Sequence, residues 1–84
     1  MPYVDPIPAL KQRVAQIIVE RLDGWSQVYA ADFLGTNQPR MSNIRRGRLE
    51  RFSLDQLVRH LAHIGGTLDL HVHWDPRKGF LAGR

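Results

Sequence analysis

The stretch SQVYAADFLGTNQPRMSNIRRG, residues 26–47, predicts two short helices joined by a tight turn. Ser26 is a favoured helix N-cap. The helix that it starts is expected to end at Gly35, because glycine readily adopts the left-handed backbone of a helix C-terminus. Pro39 falls in the first turn of the next helix, where its missing N–H costs little. Gly47 then ends this second helix, so residues 26–46 predict a helix, a short glycine turn and another helix.

The second of these helices is rich in polar side chains. Its large apolar residues are Met41 and Ile44, which lie three positions apart and can anchor it to a core. Either Thr36 or Asn37 can cap its first turn. The remaining positions carry mostly amide, hydroxyl or guanidinium groups: Gln38, Arg40, Ser42, Asn43, Arg45 and Arg46. This helix therefore has too few apolar side chains to be buried on all sides, and its polar side is expected to face a polar partner.

The net charge of +4 is concentrated around this helix. Five arginines and a single acid lie between Asn37 and Arg51, whereas the basic and acidic residues of the remaining chain balance. A local basic patch of this kind is typical of a surface that binds a phosphate backbone. A solvated basic surface without a partner is the alternative.

The 84-residue chain has the length of one small domain, residues 1–84, and it has no cysteine, which fits a reducing cytoplasm. A core of this size is only marginally stabilising, so an oligomer would gain stability. No apolar stretch is long enough to span a bilayer, and the N-terminus lacks a signal-peptide pattern. We therefore expect a cytoplasmic domain without membrane contact.

Two further helices flank the central pair. The first starts near Asp5 and ends at Gly24, with apolar residues at helical spacing: Leu10, Val14, Ile17, Ile18 and Leu22. Residues 48–52 are read as a basic loop. Ser53 and Gln56 then have the spacing of a capping box, which starts a fourth helix. Its predicted apolar face holds Leu54, Leu57, Val58, Leu61 and Ile64.

Residues 67–74, TLDLHVHW, alternate between apolar and polar side chains and predict a β-strand. A lone strand leaves its backbone donors and acceptors without partners. The simplest partner is the same strand of a second copy, which predicts a homodimer whose interface holds Leu68, Leu70, Val72 and Trp74. Strand addition by another protein is the alternative. Residues 75–84 are expected to form a loose tail, from which Phe80 and Leu81 can dock.

The central pattern resembles the helix-turn-helix of the Xre (Cro/cI-type) repressor family, which reads S-Q-x-x-x-A-x-x-L-G-x-x-Q-x-x-[IV]-S-x-x-x-x-G. Every fixed position is matched, with Met41 in place of the aliphatic residue. The resemblance extends from Ser26 to about Leu61. It implies a mainly α, lambda-repressor-like DNA-binding domain of four to five helices, with the C-terminal strand pairing across a dimer. The run from Gln38 to Val72 is also similar to HigA-like antitoxins, a compact subgroup that ends in a strand.

The resemblance implies that the third helix lies in the major groove of duplex DNA. An amide such as Gln38 or Asn43 can pair with adenine, Arg40 with guanine, and Pro39 with a thymine methyl group. Where the family often has a polar residue, proline can make only apolar contact. The residues expected to contact phosphates are Ser26, Gln27, Asn37, Ser42, Arg45, Arg46, Arg48, Arg51 and Ser53.

Purely structural roles compete with some of these assignments. Arg45 and Arg46 also complement the dipole at the end of their helix, an effect of ~0.3–1 kcal/mol each. Ser53 can serve only as an N-cap. The histidines His60, His63, His71 and His73 are expected to line a solvated face, because no third ligand or cysteine completes a metal site.

These features predict a transcriptional repressor that binds a palindromic operator as a dimer. The antitoxin of a HigBA-like pair, which binds a small toxin and represses its own operon, is the favoured form; a stand-alone or phage-type regulator without a toxin is the alternative. No nucleophile elbow, phosphate loop or HExxH motif is present. We therefore expect neither catalysis nor a cofactor.

Overall fold

A computed structural model describes residues 4–75 and residue 77. It contains four α-helices: α1 (Ile7–Arg21), α2 (Gln27–Leu34), α3 (Gln38–Arg46) and α4 (Leu54–His63). Helix α1 packs against α3 and α4, and α2 packs against α3. The chain is therefore mainly α, as the sequence predicts, with four helices in the described part.

The predicted N-caps of the last three helices are confirmed. The Ser26 hydroxyl accepts a hydrogen bond from the Tyr29 N–H at 3.1 Å, and the Asn37 carboxamide oxygen accepts one from the Arg40 N–H at 2.9 Å. Ser53 and Gln56 form the complete capping box, with bonds of 2.9 and 3.2 Å. Each side-chain oxygen satisfies a backbone donor that has no partner within its own helix.

The predicted glycine stops of α2 and α3 are also confirmed, whereas α1 ends at Arg21, before the predicted stop at Gly24. Gly35 ends α2 with φ +70° and Gly47 ends α3 with φ +71°, both in the left-handed region. The N–H that follows each glycine bonds back into the helix, from Arg48 to the Asn43 carbonyl at 2.8 Å in the case of α3. These closures leave only residues 35–37 between α2 and α3. They fix the geometry of the helix pair.

The core differs from the predicted one in two places. Leu10, expected on the apolar face of α1, is 42% exposed, while Ala15 is buried. Leu49 and Phe52 are both buried, so residues 48–52 form a connection that packs into the core rather than a purely basic loop. The core consists of Val14, Ala15, Ile18, Leu22, Ala30, Ala31, Leu34, Met41, Ile44, Leu49, Phe52, Leu57 and Leu61.

The segment predicted as a strand has no regular secondary structure in the single chain. Residues 67–75 form no strand, and their apolar side chains are exposed, with Leu70 at 81% and Trp74 at 82%. A strand needs a hydrogen-bonded neighbour, and no other described segment lies beside this one as a strand. Of the predicted tail, Phe80 and Leu81 lie outside the described residues.

Candidate nucleic-acid interface

Helix α3 turns a polar face to the solvent. Met41 and Ile44 are completely buried and fix which side of the helix meets the core. Because each residue advances by about 100° around a helix, the opposite side carries Pro39, Asn43 and Arg46. Pro39 and Arg46 are exposed and Asn43 is half-buried. This face is a row of groups that can contact an external partner.

The start of α3 is open as well. Gln38 is the first residue of the helix and is exposed, so its carboxamide can reach past the helix end. The Asn37 carboxamide oxygen is occupied by the Arg40 N–H. Only the Asn37 side-chain N–H groups therefore remain for an outside acceptor such as a phosphate. Ser42 is half-buried on the flank of the same face.

Arg40 lines a cavity together with Gln56, Arg59 and His60 of α4. Its guanidinium carbon is 4.1 Å from the centre of the Phe52 ring, a cation–π geometry. Arg40 is also close to His60. Burial lowers the pKa of His60, and the positive charge of Arg40, followed by that of His63, lowers it further. In the unbound chain, the predicted base-reading residue Arg40 therefore rests against the protein.

Arg45 is held inside the helix pair. One of its terminal nitrogens donates to the Gln27 side-chain oxygen at 2.9 Å, and the other donates to the Trp25 carbonyl at 2.9 Å. Both Arg45 and Gln27 are half-buried. These two predicted phosphate ligands thus contact each other and connect the end of α3 to the start of α2.

Arg46, Arg48 and Arg51 are exposed at and beyond the end of α3. The salt bridges among the described residues lie elsewhere, at Asp55–Arg59 and Asp75–Arg77. Within residues 4–75, these three guanidinium groups have no acidic partner. We call these three residues the arginine cluster; they carry unneutralised positive charge at and just beyond the end of α3.

The caps of α2 and α4 use the hydroxyl oxygens of Ser26 and Ser53 as acceptors. A hydroxyl that accepts can still donate its own proton, and both residues are exposed. At Ser26, capping and phosphate contact are therefore compatible. At Ser53, the hydroxyl also bonds the Asp55 carboxylate, which lowers the pKa of Asp55, so the structural role is the one that this residue performs in the free chain.

The histidines do not come together as a metal centre in the described part. No group of three or more histidine, cysteine or acidic side chains is arranged to hold a metal there. His63 packs edge-on against Phe33, with ring centres 5.2 Å apart, whereas His71 and His73 are exposed.

Among the described helices, none is long and apolar enough to cross a membrane.

Sequence reasoning missed two features of this surface, the Phe52 ring beneath Arg40 and the bonds of Arg45. The first had a signal, because Leu49 and Phe52 are three residues apart and can share the side of a turn that faces the core. The second had none, because Arg45 and Gln27 are 18 residues apart and meet only once the helix pair has formed.

Comparison with known proteins finds a family profile and solved structures that this chain resembles. The sequence profile of a family described as a helix-turn-helix domain matches residues 7–73. A solved structure of a protein described as an XRE-family transcriptional regulator superposes with a TM-score of 0.74 at 31% sequence identity, over 86% of this chain and 83% of that one. No curated protein matches the chain in sequence.

Proposed function

The chain belongs to the XRE family of helix-turn-helix transcriptional regulators, and we propose that it represses transcription by binding a specific operator in duplex DNA. The observation that carries this proposal is the construction of α3. Two buried side chains, Met41 and Ile44, anchor the helix, and its remaining surface is polar and borders the arginine cluster. A helix of this kind fits the major groove.

Base recognition is assigned to the start and the outer face of α3. The Gln38 and Asn43 carboxamides can each pair with adenine, and Pro39 offers an apolar contact to a thymine methyl group. To reach a guanine, Arg40 would exchange its contact with Phe52 for a bidentate pair with the base. The cation–π contact at a partly exposed site contributes about 0.5–1 kcal/mol, and the bidentate pair discriminates against a wrong base by about 1–3 kcal/mol.

The arginine cluster is assigned to the phosphate backbone. Replacing Arg48 with alanine is expected to weaken binding to all duplexes about equally and to reduce the slope of log K against log salt by about one unit. Arg21→Ala is the matched control. Arg21 is exposed at the end of α1 and lines a cavity with His63, the last residue of α4, whereas Ser53 lies at the start of α4. Loss of Arg21 should leave the slope nearly unchanged.

The test of the proposed function starts with selection of binding sites from a random duplex library. The selected site and a scrambled version are then titrated at one salt concentration. We expect a strong preference for the selected site, and we expect Gln38→Ala to reduce this preference while the variant remains folded. Equal binding of both duplexes would show that the chain does not read sequence.

We propose that the regulator binds as a homodimer through residues 67–74. The exposed, alternating apolar side chains of this segment support pairing with a second copy, and the dimer would present two α3 helices to half-sites about 34 Å apart. Charging the apolar side (Leu70→Lys with Val72→Lys) should give monomers in sedimentation, whereas charging the other side (Asp69→Lys with His71→Lys) should not. A wild-type monomer at micromolar concentration would contradict the dimer.

A second candidate function is that of an antitoxin of the HigA-like type, which binds a small toxin and represses its own operon. The same exposed segment supports it, because an extended apolar segment can also add to the sheet of another protein. Co-expression with the product of the neighbouring reading frame is the test. If that product stops growth when expressed alone, and co-expression with this protein gives a stable complex and restores growth, the antitoxin role is supported. If the product is not toxic and does not bind this protein, a stand-alone regulator is favoured.

In this proposal the protein acts by binding alone, without catalysis and without a cofactor. The cytoplasmic location predicted from the sequence is the one in which a regulator meets an operator. Incubation of the protein with its selected duplex should leave the DNA intact over hours, and addition of a metal chelator should not change the affinity. Cleavage of the duplex would contradict the binding-only role.

A further inference from the structure

We propose that Arg45 is a positioning residue that orients Gln27 toward the DNA backbone, rather than a phosphate ligand itself. This inference rests on the proposed DNA-binding function and refines the surface that carries it. Its basis is the pair of hydrogen bonds, 2.9 Å each, that Arg45 donates to the Gln27 side-chain oxygen and to the Trp25 carbonyl.

The chemistry of the pair determines which end of the Gln27 carboxamide faces outward. A guanidinium group has donors only, so the atom of Gln27 that meets it must be the oxygen. The carboxamide N–H groups then point away from Arg45. A glutamine without this partner can turn either end outward, and its oxygen would repel a phosphate. Arg45 therefore selects the rotamer that presents donors.

The position of Gln27 makes those donors useful. It is the first residue of α2, where the Gln27 and Val28 N–H groups precede the first helical hydrogen bond, from Ala30 to Ser26. The Ser26 hydroxyl caps the Tyr29 N–H and leaves these two free. The side-chain and backbone donors of Gln27 thus lie at one helix end, which favours an anion.

The second bond, to the Trp25 carbonyl, restrains the arginine itself. The guanidinium group is held at two points, on a side chain and on the backbone, and it is half-buried. Arg46, the next residue, is exposed and has no such restraint. The two adjacent arginines therefore have different roles: Arg45 restrains the side chain at the start of α2, and Arg46 places its positive charge near the DNA backbone.

The salt dependence of binding distinguishes the two roles. A phosphate ligand releases counterions, so its removal lowers the slope of log K against log salt by about 0.9. We expect Arg46→Ala to do so. Arg45→Met removes the donors of Arg45 but keeps much of its length; it should weaken binding about three- to tenfold, the range of one lost hydrogen bond, with the slope nearly unchanged.

Coupling between the two residues is the second readout. The double variant Arg45→Met with Gln27→Ala should bind no more weakly than Gln27→Ala alone, because both changes remove the same donor. Gln27→Glu keeps an acceptor for Arg45 but presents oxygen to the backbone. It should therefore retain the thermal stability of the wild type and lose DNA affinity, which separates misfolding from a lost contact.

Any of three results would overturn the assignment. The first is a slope reduction in Arg45→Met as large as that in Arg46→Ala, and the second is an additive loss in the double variant. The third is full affinity in Gln27→Glu. A wild-type protein that binds no duplex would instead refute the proposed function, so the two failures are distinguishable.

Discussion

The glycine that ends α3 offers a matched test of the packing around the reading helix. Gly35 and Gly47 have nearly identical backbone angles, with φ +70° and +71°. A side chain at Gly35 would meet nothing within 4 Å, whereas one at Gly47 would lie 3.0 Å from the Gln12 side-chain oxygen. The same Gln12 donates from its side-chain nitrogen to the Gly47 carbonyl at 2.8 Å. The two positions thus differ in one neighbour.

Alanine at either glycine is expected to destabilise the fold through the left-handed backbone. This strain costs about 1–2 kcal/mol, and the reduced freedom of the unfolded chain offsets about 0.4–1 kcal/mol of it, so Gly35→Ala should lose about 1 kcal/mol. Gly47→Ala should lose the same amount and also displace Gln12, whose hydrogen bond contributes about 0.5–1.5 kcal/mol. We expect a total loss near 2 kcal/mol.

Urea denaturation followed by circular dichroism measures both losses. In a Gln12→Ala background, where the neighbour is absent, Gly47→Ala should cost about as much as Gly35→Ala. Equal losses in the wild-type background would refute the role of Gln12. A difference that persists without Gln12 would show that another contact separates the two sites.

Three further predictions concern the surface beside α3 and the start of α4. Arg40→Ala should lower discrimination at one base pair by about 1–3 kcal/mol, seen in titrations of single-base variants of the selected site; uniform weakening would contradict it. Ser53→Ala should lower the unfolding free energy by about 1 kcal/mol in urea, because it removes the N-cap of α4, and an unchanged midpoint would argue against the cap. Because the pKa of His60 is lowered in the folded state, the unfolded chain takes up that proton first as the pH falls. The free energy of unfolding should therefore decrease as the pH falls from above the ordinary pKa of histidine to the lowered pKa of His60 in the folded state. In denaturation series between about pH 7.5 and pH 5, His60→Gln should make this decrease shallower.

Local signals in the sequence were sufficient for the helix pair. The caps at Ser26, Asn37 and Ser53 and the stops at Gly35 and Gly47 act over a few residues, so the sequence alone predicts them. For the same reason, the polar character of α3 and the arginine cluster beside it were evident before the fold was known.

Features that depend on contacts between distant residues could not be read in this way. The period of α1 includes Leu10, but whether a neighbour covers that side chain depends on the packing of α3 and α4, and it remains 42% exposed. The sequence assigned Arg45 to a phosphate from its charge, its place at the end of the third helix and the family resemblance. Its bonds to Gln27 and Trp25 could not be predicted, because they form only in the folded chain. The strand at residues 67–74 stays a prediction, since the pairing that would form it involves a second molecule.

The most direct test of the central claim is a titration of the selected operator duplex and its scrambled counterpart at the same salt concentration, with wild-type protein and with Gln38→Ala. If α3 reads the sequence, the wild type should prefer the selected duplex by at least about a thousandfold, and the variant should lose part of that preference while it keeps its affinity for the scrambled duplex. Equal affinity of the wild type for both duplexes would contradict the claim that α3 reads DNA sequence.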